Sequence, residues 1–154
     1  MESMAKEITA ETVQKLRGIT GAGVMDCRKA LIEADGDLAK AQAIIAEKGL
    51  AKVEKRAGRE TGAGLAYSYI HAERIGVLLE VRAETDFVVN SDPFRKLTHE
   101  LAMQIAAGAP ATVDELLAQP YIKDESKTVR DIVNEVIAKV GENVVVKQFY
   151  RIEV

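Results

Sequence analysis

At Gly62-Ala63-Gly64 the apolar period of the chain changes, and this break constrains the fold more than any other feature. Before it, apolar residues recur three and four apart, as on one face of a helix. Directly after it they alternate, with Leu65, Tyr67 and Tyr69 on one side and Ala66, Ser68 and Ile70 on the other, as in a half-buried strand. A chain that switches period in this way reads as α+β, with a helical first part and a second part in which an antiparallel sheet packs on helices. Its 154 residues leave room for a very small domain followed by a compact larger one.

The first part, 1–52, predicts three short helices. Ile8 and Val13 flank Thr9 as a hydrophobic staple around an N-cap, and Gly18 is expected to interrupt the helix that follows. The turn Gly21-Ala22-Gly23 leads into a second helix with Val24, Cys27, Ala30, Leu31 and Ala34 on one face. Gly36 stops it, Asp37 caps a third helix carrying Leu38, Ala41, Ile44 and Ile45, and Gly49 is the expected end. So few large side chains make a marginal core that leans on a partner. Between Lys48 and Arg59 the bases Lys48, Lys52, Lys55, Arg56 and Arg59 face one acid, Glu54. A solvated basic linker over 53–62 is one reading of this run, and attraction to an acidic protein surface or RNA is the other. No aromatic residue is interleaved to stack on bases, so nucleic acid ranks below protein as a partner.

The second part, 63–154, opens with a hairpin: a strand from the glycine break, a turn at 72–74 and a second strand near 75–83. Pro93 behind Ser91 and Asp92 starts a helix with Phe94, Leu97, Leu101 and Ile105 as its buried stripe, ending near Gly108. The stretch 109–125 contains Pro110 and Pro120 and reads as a looser connection with one helical turn at 113–118. The most regular helix carries Val129, Ile132, Val133, Val136, Ile137 and Val140, with Ser126 as the expected N-cap and Gly141 as the stop. The last segment, 144–154, is extended. Val144, Val146, Tyr150, Ile152 and Val154 are expected on one face, interrupted by Gln148, and so long an apolar strand needs a neighbour within the chain or from a second copy.

Between the second strand and the Pro93 helix stand Thr85, Asp86, Phe87 and Val88. They place a carboxylate beside a large ring on a short connector at the rim of a sheet. Phe87 either folds back over the end of the helix or projects as a wedge into a partner's apolar pocket, with Asp86 disturbing a charged site there.

Composition narrows the function. The net charge of −3 argues against a general electrostatic hold on nucleic acid. Cys27 is the single cysteine, so no internal disulfide forms, and with His71 and His99 it offers no metal-site spacing. These features fit a reducing cytoplasm. The first six residues lack the pattern of a secretory signal, and no run is long and apolar enough to span a bilayer. There is no glycine-rich phosphate loop followed by Lys and Ser or Thr, so the chain is expected to bind no nucleotide itself, and no cofactor is implied. Catalysis would have to use Cys27 or His71; Cys27 falls on a core face and both histidines read as surface residues, which speaks against an enzyme.

Three stretches carry a family resemblance. Leu16-Arg17 with Thr20-Gly21-Ala22-Gly23-Val24-Met25-Asp26-Cys27-Arg28-Lys29-Ala30-Leu31, then Glu84-Thr85-Asp86-Phe87-Val88, then Lys139-Val140-Gly141-Glu142-Asn143-Val144 resemble, in order, signatures of bacterial elongation factor Ts, the guanine-nucleotide exchange factor for elongation factor Tu. The resemblance implies a ubiquitin-associated-like domain over 1–52 and a core domain over 63–154. It implies a translation factor that binds elongation factor Tu and promotes GDP release by disturbing its magnesium and phosphate site. Asp86 and Phe87 would intrude there, flanked by Thr85 and Val88, while Leu16, Arg17, Thr20, Gly21, Ala22, Gly23, Val24 and Met25 would supply the contact of the first domain. At Val24 and Met25 a core role is the competing reading. The chain carries a single core half, with no second repeat and no coiled-coil insertion. In this it is similar to short forms in which two chains pair as a homodimer, although the stretch between 107 and 126 is shorter than those forms lead one to expect. A protein-binding adaptor joined to a dimerisation domain is the alternative from another class.

Overall fold

A computed structural model describes residues 7–154, so the expectation for the first six residues lies outside the described part. The chain divides into two compact units, Met1–Lys52 and Val53–Val154. Helices and an antiparallel sheet make up an α+β fold, helices first.

In the first unit α1 (Ala10–Thr20) starts at Thr9, whose side chain accepts from the Thr12 backbone N–H while Thr12 bonds back to Thr9. The helix runs through Gly18 and stops at Gly21, which takes the left-handed conformation with φ 69°. A single exposed glycine costs a helix about 1 kcal/mol, too little to break one that is capped at both ends. In α2 (Val24–Glu33) Cys27, Ala30 and Leu31 are buried, and α3 spans Leu38–Arg56. That helix continues past Gly49, the expected end, because Ala, Lys, Glu and Leu on both sides sustain it. Val13, Leu16, Cys27, Ala30, Leu31, Ala34 and Ala41 form the small core, with Ile8, Leu38, Ile44 and Ile45 packed against it.

In the second unit β1 (Ala63–His71) and β2 (Ile75–Ala83) form the hairpin, and β5 (Val144–Glu153) pairs antiparallel with the other edge of β2, giving the order β1-β2-β5. The terminal strand therefore finds its neighbour inside the chain. Its expected single face does not hold, because a bulge at Lys147 shifts the register between Glu80 and Val81. An extra residue reverses the alternation. Val144 and Val146 stay in the core and Phe149 joins them, while Tyr150, Ile152 and Val154 turn outward.

The inner face of the sheet carries Val77, Leu79, Val81 and Ala83 and packs on α5 (Asp92–Gly108), whose Phe94, Leu97, Leu101 and Ile105 are buried. The connection after α5 is more ordered than its sequence suggests. It forms α6 (Val113–Ala118) and a small hairpin of β3 (Pro120–Tyr121) and β4 (Asp124–Thr128). Helix α7 (Val129–Val140) is capped by Thr128 with Asp131, not by Ser126, which sits in β4, and it ends at Gly141. Between β2 and α5 lies one more short helix, α4 (Asp86–Val89). Among the described residues no helix is long and apolar enough to cross a membrane.

Candidate functional site

The four residues of α4 split evenly between core and solvent. A single helical turn puts adjacent pairs on opposite sides, so Val88 and Val89 are buried while Asp86 and Phe87 point out. Phe87 is 86% exposed, the most exposed of the large apolar side chains among the described residues. Burying a phenylalanine is worth roughly 1.5–3 kcal/mol, so a ring left in water by an otherwise well-packed core is unusual. The ring does not fold back over the helix.

Thr85 caps the turn: its hydroxyl oxygen accepts from the Val88 N–H at 3.4 Å. The Thr85 hydroxyl also donates to Glu142 Oε2 at 2.7 Å, and the Thr85 N–H donates to Glu142 Oε1 at 3.0 Å. One residue back, Glu84 Oε1 accepts from the Asn143 N–H at 2.8 Å. Asn143 is buried, and its amide nitrogen donates to the carbonyl oxygens of Arg59, at 3.1 Å, and Ala57. The Arg59 guanidinium lies 3.6 Å from Glu84. The exposed ring thus stands on a turn fixed from beneath by two valines and from the side by the segment that follows α7.

Beside the turn, Asp86 borders an open cleft of about 500 Å³ whose walls include Gly64, Glu80 and Arg82. Glu80 accepts from Gln148 at 2.7 Å and from Arg82 at 2.5 Å, and these bonds, Gln148 first, hold its carboxyl below the usual range. The surface next to Phe87 is therefore charged and ordered. Among the described residues no group of His, Cys, Asp and Glu is arranged to hold a metal ion.

In the first unit Leu16 is fully buried, so it supports the surface and does not form it. Arg17 is exposed and half-buried Thr20 donates to the Leu16 carbonyl oxygen at 2.8 Å. Gly21 ends α1, Ala22 packs on the core and Gly23 caps α2. Val24 and Met25 are 49% and 60% exposed, which places them outside the core face expected for Val24. Helix α2 begins one residue after Gly23, and its buried stripe starts at Cys27. Arg17, Val24 and Arg28 line a cleft of about 390 Å³ with Val13 and Ile8 at its wall.

Residues 84–154 match the family described as Elongation factor TS, a stretch that begins at the site and takes in Glu142 and Asn143 between α7 and β5. Proteins named elongation factor Ts from Coprothermobacter proteolyticus and Caldanaerobacter subterraneus subsp. tengcongensis are 41% and 43% identical, over 94% and 95% of this chain and 97% and 96% of their own. One from Thermotoga neapolitana is 40% identical over 96% of this chain and 98% of its own. The chain belongs to the elongation factor Ts family. As a member it is a translation elongation factor. The elongation factor Ts alignments run over 191 and 192 residues, longer than the 154 of this chain, so these relatives carry residues that have no counterpart here.

The sequence singles out Thr85 to Val88 but does not show what holds them. Glu84, Glu142 and Asn143 were visible as pieces of family motifs, yet nothing in their spacing says that residues nearly sixty apart meet. Only the pairing of β2 with β5 brings them together.

Proposed function

We propose that this chain is a guanine-nucleotide exchange factor for elongation factor Tu and performs no bond chemistry. Such a factor binds the emptied GTPase more tightly than the GDP-loaded one, and the coupling is reciprocal: whatever ratio GDP exerts on the factor, the factor exerts on GDP. Speeding GDP release by several orders of magnitude takes on the order of 5 kcal/mol, about 1.4 kcal/mol per decade. The observation that carries the reading is the exposed ring of Phe87 on a braced turn. Its transfer into an apolar pocket of the partner supplies a sizeable part of that energy. Asp86, next to it, brings a negative charge toward the partner's magnesium and phosphate contacts, where like charge weakens the hold on GDP. Thr85 and Val88 fix the direction of both. The exposed Arg17, Val24 and Met25 of the first unit form a second contact on the same partner, with Thr20, Gly21, Ala22 and Gly23 shaping the turn and Leu16 supporting it from the core.

Release of a fluorescent GDP from elongation factor Tu tests this. The unaltered chain accelerates it; Phe87→Ala reduces the acceleration on the order of 10- to 100-fold, and Asp86→Ala by about tenfold. Because Phe87 is 86% exposed, the melting temperature of Phe87→Ala stays close to that of the parent. No acceleration by the parent protein refutes the exchange reading, and full activity in both variants refutes the assignment of the site. The protein works in the cytoplasm as a homodimer joined through the outer face of its sheet, which is supported by the exposed Ile70, Leu78, Tyr150 and Ile152 there.

A further inference from the structure

Where β2 and β5 end, their ladder changes its bonding without losing its register. The last backbone pair sets Ala83 opposite Val144. The next two positions, Glu84 opposite Asn143 and Thr85 opposite Glu142, are joined through their carboxylates: the Asn143 N–H reaches Glu84, and the Thr85 N–H and hydroxyl reach the two oxygens of Glu142. A helix of four residues cannot hold itself, because nucleation costs more than so few hydrogen bonds return. Buried Val88 and Val89 hold α4 from below, and the Thr85 cap holds it at its start. The carboxylate that grips the cap follows directly on Gly141, whose left-handed backbone (φ 76°) ends α7, so it is placed by a rigid helix terminus.

We infer that Glu142 is a positioning residue for nucleotide exchange. Its two oxygens fix the cap of the turn that presents Asp86 and Phe87, so the ring meets the GTPase already in its working geometry and no ordering cost falls on the encounter. The inference rests on the exchange reading, since Phe87 is the group positioned. Asn143 extends the clamp by tying down the chain at Ala57 and Arg59, and Arg59 returns to Glu84.

Hydrogen exchange of the full chain and GDP release from elongation factor Tu, measured on the same variants, test the inference. The amides of Val89 and Asn90 donate within the turn, to Thr85 and Asp86. In Glu142→Ala they exchange with solvent about tenfold faster while amides of β2 keep their protection, the loss of the two bonds to this half-buried carboxylate being worth roughly a decade. GDP release at saturating factor slows by a similar factor, with a smaller change in the concentration needed for half effect. Glu142→Gln, which keeps one acceptor oxygen, falls between the two. Phe87→Ala combined with Glu142→Ala loses less than the two single losses multiplied, because Glu142 acts through the turn that carries the ring. Unchanged Val89 and Asn90 amides in Glu142→Ala, or additive losses in the double variant, overturn the positioning role while leaving the exchange reading intact. No acceleration by the parent chain overturns the exchange reading and, with it, the purpose assigned to Glu142.

Discussion

Phe87 and Glu100 are both out of place by composition alone, an aromatic ring in water and a carboxylate in the core, and their surroundings account for them differently. Phe87 is exposed, on a turn that its buried neighbours Val88 and Val89 hold in place. Glu100 is buried, and it is matched: Lys123 donates to Oε1 at 2.7 Å and the Tyr121 hydroxyl donates to Oε2. Burial pushes the Glu100 carboxyl up, but the bonds from Lys123 and Tyr121 outweigh it and leave the group below its usual value of 4.5. Burial and the same carboxylate drive the Tyr121 hydroxyl far above its ordinary range, so it remains a donor. A folded-state pKa below the unfolded one contributes stability that is complete above about pH 4.5 and is lost as the pH falls through the folded value. Thermal melts of the parent and of Glu100→Gln across pH 7 to 3 check the sign. The variant is less stable at neutral pH, and its further loss on acidification is shallower than the parent's. Equal slopes would show that Glu100 contributes nothing to acid sensitivity.

At the level of elements, the hairpin turn between β1 and β2 is the clearest local misfit. The Arg74 N–H bonds the His71 carbonyl oxygen at 3.0 Å, closing a two-residue loop in which Ala72 and Glu73 both have positive φ, 49° and 58°. That is the turn whose twist suits a hairpin, but it favours Asn-Gly, and a residue with a β-carbon costs roughly 1–2 kcal/mol there. Glu73→Gly is expected to stabilise the second unit by about 1 kcal/mol in urea denaturation, somewhat less than the strain relieved because glycine also loosens the unfolded chain. The hairpin was legible in the sequence because alternation and a short polar turn are local signals, as were α5 and α7 from their apolar stripes. The bulge at Lys147 was not: an extra residue in β5 has meaning only against its partner strand, and it decides that Phe149 is core and Tyr150 is surface. The β3–β4 hairpin was missed for a similar reason. Buried Gln104 of α5 holds it, accepting from the Ile122 N–H at 3.0 Å and donating to the Pro120 carbonyl oxygen at 3.2 Å, and no local pattern announces such a contact. Val24 was misread by one turn of α2, since periodicity fixes a stripe but not which end of it the neighbouring helix covers.

For the whole molecule the question is what covers the outer face of the β1-β2-β5 sheet. Its two ends differ. Near the Phe87 turn the face carries Glu80, Arg82 and Gln148, bonded to one another and compatible with water. At the other end Ile70, Leu78, Tyr150 and Ile152 are 51% to 67% exposed, and the register places them side by side: Ile70 and Ile152 flank Gly76, and Tyr150 lies opposite Leu78. Gly76 leaves the centre of the patch low, with the side chain of Ile152 only 3.2 Å from where a β-carbon would stand, so the patch is a shallow apolar saddle. A contiguous apolar surface of this kind is costly in water, and a second copy offers the same saddle about a two-fold axis. Pairing there would remove the apolar end from solvent and leave the charged end and Phe87 exposed. Light scattering on the parent protein at micromolar concentration should therefore give twice the mass of one chain, whereas Leu78→Asp should give one mass, because pairing would set two carboxylates against apolar surface and against each other. Leu78 is already half exposed, so the substitution leaves the melting transition of the single chain cooperative. A parent that remains one chain across that concentration range, or a Leu78→Asp variant that still pairs, would move the interface off this face.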